Sequence, residues 1–299
     1  MNPLPMNRRR FLAVAGTTVA AATFRADASA ARPKSGPGWT IGCFNRPWSK
    51  WSYDDALDEL KSAGFTTTGL VGRHPQHPES LLTPDATPDY LDRLRERIAA
   101  RGIKPVIAWI NGPKTRDPKE ALVGLKRLTE NAKRLGLTTL LSGGPRRNET
   151  VESYSAVMSE VAAHAADLGI RLAMKPHGGD GEEITRCLEQ VNHPNFSLWY
   201  DAGNIVYYTG TDPVGTLKKL APHVTGFCAK DCAAKGSPVM IQFGEGKVDF
   251  PAAFQVLKNA GFQGPVMIEC TREAETAAET TRLAVANRRF LERVFADLR

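Results

Sequence analysis

Short runs of β-branched and aromatic residues alternate along this chain with longer stretches in which apolar residues return every three or four positions. The strand-like runs fall at residues 40–44, 67–71, 105–109, 138–142, 171–175, 196–201, 224–228 and 266–269. Between them the helical period is explicit. Leu122, Leu125, Leu128, Ala132 and Leu135 share one face of one stretch, and Val151, Tyr154, Val157, Val161, Ala165 and Leu168 share one face of another. Start signals sharpen the boundaries: Ser52 with Asp55, Thr87-Pro88, and Asp117-Pro118 with Glu120 place a capping oxygen where a helix leaves amide groups free. Gly64, Gly102, Gly136, Gly169 and Gly261 each close a helical stretch just before the next strand.

Helix, glycine, strand is thus the repeating unit, and such alternation requires a parallel sheet, because each strand reaches its neighbour through a crossover helix. Eight units predict an α/β fold, a single (β/α)8 TIM barrel, over residues 39–299. No GxGxxG follows the first strand, which argues against a dinucleotide-binding sheet. In a barrel the reactive groups sit at the C-terminal ends of the strands, so chemistry is sought there.

The N-terminus changes the picture. Arg8, Arg9 and Arg10 precede an uncharged, mostly apolar run from Phe11 to Phe24, and Ala28-Ser29-Ala30 offers a small-residue cleavage site. Asn7-Arg8-Arg9-Arg10-Phe11-Leu12 resembles the twin-arginine pattern, so residues 1–30 read as a twin-arginine signal peptide and 31–38 as a Pro/Gly linker. The apolar run is shorter than the ~20 residues a bilayer requires, so no stable membrane span is expected after cleavage. The expected location is periplasmic or secreted.

Removing residues 1–30 takes away four arginines and one aspartate, and the formal charge falls from +7 to +4. The remaining bases are interspersed with acids, as in Asp92-Arg93-Leu94-Arg95-Glu96-Arg97, a solvated helix face; nucleic acid is not an expected partner. Five cysteines form no CxxC or Cys/His zinc pattern, and an odd number leaves at least one thiol unpaired.

The last four strands end in charged residues. Strand five runs into Lys175-Pro176-His177, strand six into Asp201-Ala202-Gly203-Asn204, strand seven into Cys228-Ala229-Lys230-Asp231, and strand eight into Glu269. Period-two alternation turns Lys175, Asp201, Cys228 and Glu269 toward the barrel axis and Met174, Tyr200, Phe227 and Ile268 toward the helices. Charges inside a barrel mouth need partners, so this set is either a structural ion-pair cluster or a catalytic one. Lys175, His177, Asp201, Lys230 and Glu269 are the catalytic candidates, and Phe44, Trp109, Asn204 and Asp231 the substrate-binding ones. A metal, if held, has Asp201, Glu269, His177 and Cys228 as its ligand types.

The opening Ile41-Gly42-Cys43-Phe44, the helix from Asp54 to Phe65, the Asp201-Ala202-Gly203-Asn204 turn, the Lys230-Asp231 pair and the tail from Gly244-Glu245-Gly246 to Glu269 resemble the sugar phosphate isomerase/epimerase family of the xylose-isomerase-like TIM barrel superfamily. The resemblance spans essentially the whole chain after the linker. It implies a divalent metal held by Glu, Asp, His and Glu from strands five to eight, with the two glutamates exchanging a proton beside a sugar carbonyl. Asp201 and Glu269 match the second and fourth positions. Lys175 stands where the first glutamate belongs and Cys228 where the histidine belongs, and the family's Asp-x-x-His turn ends in Asn204. A lysine at that position favours a metal-free site in which its ammonium takes over the electrostatic role.

The expected function is therefore proton-transfer chemistry next to a carbonyl of a carbohydrate: isomerisation, epimerisation or elimination on a free sugar, keto-sugar or oxidised glycoside. Export argues against a phosphorylated substrate. Two other readings stay open: a glycoside hydrolase or lyase using the Asp201/Glu269 pair, and a non-catalytic periplasmic sugar-binding barrel.

Overall fold

Eight strands close a parallel barrel in the order of the chain: β1 (Ile41–Phe44), β2 (Thr67–Leu70), β3 (Lys104–Trp109), β4 (Thr139–Ser142), β5 (Arg171–Met174), β6 (Phe196–Asp201), β7 (Val224–Ala229) and β8 (Val266–Ile268), with β8 pairing back onto β1. These are the eight runs read from the hydrophobic pattern. The computed structural model describes residues 37–75, 82–110, 115, 117–146, 148–178 and 180–298. The expected signal segment 1–30, and all of the 31–38 linker except Pro37 and Gly38, lie outside the described residues.

The helices outside the strands are α1 (Tyr53–Ser62), α2 (Pro88–Ala99), α3 (Pro118–Leu135), α4 (Val151–Asp167), α5 (Gly181–Val191), α6 (Ala202–Thr209), α7 (Pro213–Leu220), α8 (Phe250–Asn259) and α9 (Ala277–Asp297). Their starts follow the caps in the sequence. Ser52 and Asp55 form a reciprocal capping box, Thr87 accepts from the Tyr90 amide, and Asp117 accepts from the Lys119 amide with Pro118 in the first turn. Each such cap is worth ~1 kcal/mol. Gly136 ends α3 at φ 84°, a left-handed geometry that a side chain would strain. Sequence reasoning expected one helix after each strand, and β6 is followed by two short ones, α6 and α7, separated by Gly210 and capped by Asp212.

Two apolar layers hold the barrel. Met174, Tyr200, Phe227 and Ile268 face the surrounding helices, while Phe44, Ile107, Leu141, Ala173, Trp199, Cys228 and Met267 fill the interior. Interior packing is tight enough to dictate backbone chemistry: a Cβ at Gly226 would collide with the Trp199 indole, and one at Gly69 with the Phe44 ring. The barrel begins on Trp39, whose indole donates to the Phe262 carbonyl at 2.7 Å and packs on Phe254, Phe262 and Phe295. All five cysteines are buried free thiols. No helix among the described residues is long and apolar enough to cross a membrane.

Candidate active site

The sheet's hydrogen bonding continues past its nominal strand ends and fixes the backbone of the chemically active residues. Lys175 donates its amide to the Ser142 carbonyl at 2.8 Å, His177 to Gly143 at 3.1 Å, and Glu269 to Ala229 at 3.0 Å. Asp201 is both the last residue of β6 and the N-cap of α6, its Oδ1 accepting the Asn204 amide at 2.9 Å. Gly203 lies where a Cβ would stand 2.7 Å from the Lys230 carbonyl oxygen, so this turn closes on the end of β7 only with glycine.

The four inward residues and Lys230 meet in one buried cluster. Lys175 Nζ stands 3.0 Å from Asp201 Oδ2 and 2.6 Å from Glu269 Oε2. Lys230 Nζ reaches the same Asp201 oxygen at 2.9 Å, the same Glu269 oxygen at 3.6 Å, and Asn204 Oδ1 at 2.5 Å. The Cys228 thiol donates to Glu269 Oε2 at 2.7 Å, and Arg46 donates Nη1 to Glu269 Oε1. Lys175 and Asp201 are each only 1% exposed, whereas the Arg46 side chain is 34% exposed.

Burial alone would neutralise these groups. The pairing overrides it. Burial opposes the charged form of Lys175, but Glu269 and then Asp201 hold its pKa well above the ordinary value. Burial opposes the Glu269 carboxylate, but Lys175, Lys230 and Arg46 hold it well below the usual range, and Asp201 is likewise lowered, by Lys230 and then Lys175. Burial, then Asp201 and Glu269, push the Cys228 thiol far up, so it keeps its proton.

The mouth above this cluster is aromatic. Lys175 Nζ lies 5.7 Å from the centre of the Trp109 ring, and His177 packs edge-on to the same ring at 4.7 Å. A side chain at residue 143 would have its Cβ 3.2 Å from Trp109, so Gly143 gives the indole its place. His177 Nδ1 lies 3.0 Å from the Lys175 carbonyl, which only accepts; Nδ1 therefore carries the hydrogen and Nε2 a lone pair. Desolvation, then the Lys175 ammonium, press the His177 pKa down from 6.5 to about 4, although the residue lies on the exposed side of the mouth.

Asp201, Cys228 and Glu269 are the set among the described residues whose donor atoms could surround one ion, lying within 4.8 Å of one another. They do not fit the divalent metal that the resemblance implies. The inward oxygens of both carboxylates already face two ammonium groups, and a dication ~4 Å from one ammonium costs roughly 8 kcal/mol at an effective dielectric of ~20. The thiol is also protonated, whereas a metal needs the thiolate. His177, expected as a fourth ligand, stays outside that set, tied to the Lys175 backbone and the Trp109 ring.

Three expected substrate contacts are engaged within the protein. Phe44 is fully buried in the barrel interior, where the short Gly69 on β2 admits its ring. Asn204 is 3% exposed with both ends of its amide used, donating to the Pro176 carbonyl at 2.8 Å and accepting from Lys230; it orients the lysine. Asp231 turns into its own loop and accepts the amides of Cys232, Gly244, Gly246 and Val248. Sequence reasoning missed Arg46, which extends the inward parity of β1 beyond Phe44 into a 3-10 turn and so looked like an ordinary loop charge. It also missed Asn45, whose side chain accepts the amides of Val71 and Gly72 and donates to the Gly72 carbonyl, fastening the end of β1 to that of β2.

Residues 57–294 match the family model described as xylose isomerase-like TIM barrel. The chain is 21% identical over 294 residues to an inosose dehydratase of Clostridium botulinum, covering 85% of this chain and 94% of that protein. It is 29% identical over 141 residues to the L-ribulose-5-phosphate 3-epimerase UlaE of Escherichia coli, covering 45% of this chain and 49% of that protein. A xylose isomerase domain protein from Planctomyces limnophilus superposes with a TM-score of 0.66 at 20% identity, covering 86% of this chain and 97% of that one.

Proposed function

The chain belongs to the xylose isomerase-like TIM barrel family, and from that premise we propose that it is a metal-independent enzyme moving a proton at a carbon beside a carbonyl of a carbohydrate. The observation that carries this reading is the buried Lys175 ammonium, held charged between Asp201 and Glu269 and facing the Trp109 ring. A fixed cation in a site depleted of water stabilises negative charge developing on a carbonyl oxygen without reorganising. The relatives are named as an epimerase and a dehydratase, and both reaction classes, next to a carbonyl, begin by removing a carbon-bound proton.

Glu269 is a poor choice for the base, because two cations and a thiol already occupy its lone pairs and a third cation stands 3.6 Å away. We assign the base to His177, neutral near pH 7 with its Nε2 lone pair free of the backbone bond that fixes the ring. Nε2 takes the proton from the carbon next to the carbonyl; the C–H electrons form a carbon–carbon double bond and the carbonyl π pair moves onto the oxygen, beside Lys175. Protonation of the other face by water, with the His177 proton passing to the hydroxide left behind, gives an epimer, and protonation of the neighbouring carbon, with a hydroxyl proton shift, gives an isomer. Delivery to a β-hydroxyl releases water. Asp201 and Glu269 keep both lysines charged.

The glycosidase reading needs one carboxyl group held protonated as the acid, and both carboxylates here are shifted the other way. Export through the twin-arginine route remains part of the proposal, supported by Arg8, Arg9 and Ala28-Ser29-Ala30, and with it an unphosphorylated substrate. The test is proton NMR in deuterated water with a panel of free sugars, keto-sugars and sugar acids. Deuterium should enter a carbon beside a carbonyl, undiminished by chelator. Hydrolysis without carbon exchange, or turnover abolished by chelator, overturns the reading.

A further inference from the structure

We infer that the substrate carries a carboxylate, and that Arg46 is the residue that selects it; this rests on the carbohydrate reading above but not on the chemistry assigned to His177. The inference comes from charge balance. Lys175, Lys230 and Arg46 bring three positive charges to the cluster, against two negative ones from Asp201 and Glu269. Among the described residues, nearby acids do not supply the missing charge. Asp231 spends both oxygens on four backbone amides of its own loop, and the rim carboxylates Glu245 and Glu273 are paired with Arg272 and Lys50. The Cys228 thiol keeps its proton and adds none.

The excess therefore amounts to one positive charge among the described residues, and it sits in a site whose other charged members are at most 4% exposed along their side chains. Arg46 is the accessible member, and so the cation an entering ligand meets first. Its backbone is held in the 3-10 turn Arg46–Trp48, its carbonyl accepting the Ser49 amide at 3.0 Å, next to the Asn45 fastening. Only its Nη1 is engaged by Glu269, which leaves a guanidinium edge able to grip a second carboxylate with two parallel bonds. A monoanion balances the excess. A phosphate dianion would overshoot it and place uncompensated negative charge beside Asp201 and Glu269. The class indicated is a sugar acid or keto-acid sugar.

The experiment measures binding, so it does not depend on turnover. Quenching of tryptophan fluorescence, with Trp109 as the reporter, is followed for glycolate against ethylene glycol, for D-glucuronate and D-galacturonate against the parent hexoses, and for inorganic phosphate. Glycolate should bind saturably and at least roughly tenfold more tightly than ethylene glycol, and one of the uronates should show the same preference over its hexose. In Arg46→Met the preference should vanish, in Arg46→Lys it should be reduced, and in Glu269→Gln, which removes the carboxylate that competes for Arg46 Nη1, glycolate should bind more tightly than in wild type. The two arginine variants and the glutamate variant move affinity in opposite directions, so misfolding cannot imitate the pattern. Equal binding of the neutral and charged probes, an unchanged preference in Arg46→Met, or tighter binding of phosphate than of glycolate overturns the inference. Carboxylate preference without deuterium exchange on any probe overturns the catalytic proposal and leaves this one standing; exchange on neutral sugars alone does the reverse.

Discussion

Two buried aspartates stand at the ends of neighbouring strands, and they are satisfied by different means. Asp231, at the end of β7, receives four backbone amides from a single loop. Asp201, at the end of β6, receives one amide through Oδ1 and two ammonium groups through Oδ2. Amides cannot leave and carry no net charge, so Asp231 is a fixed anchor whose work is done when the loop folds. Ammonium groups are mobile charges on long stems, and a carboxylate that holds them charged passes its own effect on to whatever they face next. Two acids with the same burial thus divide into scaffold and chemistry by the type of donor that meets them.

That division is broken most severely at the lysine. Lys175→Met should lower deuterium exchange by about a hundredfold or more, and removing one member of a buried charge network should cost ~3–5 kcal/mol of stability. Kinetics and denaturant unfolding read the two effects separately. If the aspartates were equivalent, Asp231→Asn would abolish exchange as well; instead it should lower stability by ~3 kcal/mol, since its amide nitrogen repels donors that a carboxylate accepts, while exchange per folded molecule stays within about threefold. A gentler probe of the same anchor is Gly246→Ala, whose Cβ would collide with Asp231. It should cost ~1–3 kcal/mol, visible as a lower melting temperature with the carboxylate preference intact.

The smallest effect concerns pH. The folded pKa of His177 is lowered to about 4 from 6.5, so between these values the unfolded chain takes up a proton that the folded chain declines. Stability should therefore fall as pH drops from 6.5 toward 4, and this component should be missing from His177→Gln. The exchange rate should be flat through neutrality, with an acid limb near pH 4. The contribution of Asp201 and Glu269 is present above the ordinary carboxylate range and is lost only as pH falls through their lowered values.

Much of this was legible in the residue order. β-Branched runs, caps and terminal glycines located all eight strands, because each depends on local chemistry. Period-two alternation placed Lys175, Asp201, Cys228 and Glu269 on one inner surface, where the structure has them. What was not legible is how a side chain spends its hydrogen bonds. Asn204 has the composition of a ligand, yet Pro176 and Lys230 consume both ends of its amide from other strand ends. The path of the chain after Asp231, which bends residues 244–248 back around its carboxylate, is a long-range fact that no local pattern encodes. Arg46 escaped for the related reason that its partner lies 223 residues away.

That same separation has a consequence for how the protein is made. The contacts that seal the barrel join its two sequence ends: Trp39 to Phe262, Arg46 to Glu269 and Lys50 to Glu273, each spanning 223 residues. Loop-closure entropy makes such pairings late events in folding. While the chain emerges, strands one to seven can accumulate with Lys175, Lys230 and Asp201 already translated, but the fifth member of the charge network arrives only with β8. A nascent chain stalled before residue 269 therefore holds an excess of two positive charges at its open seam, with the β1 and β7 edges unpaired. Completion of the last strand closes the sheet and delivers Glu269 in one step, so a molecule that has finished its barrel has also assembled its charge network.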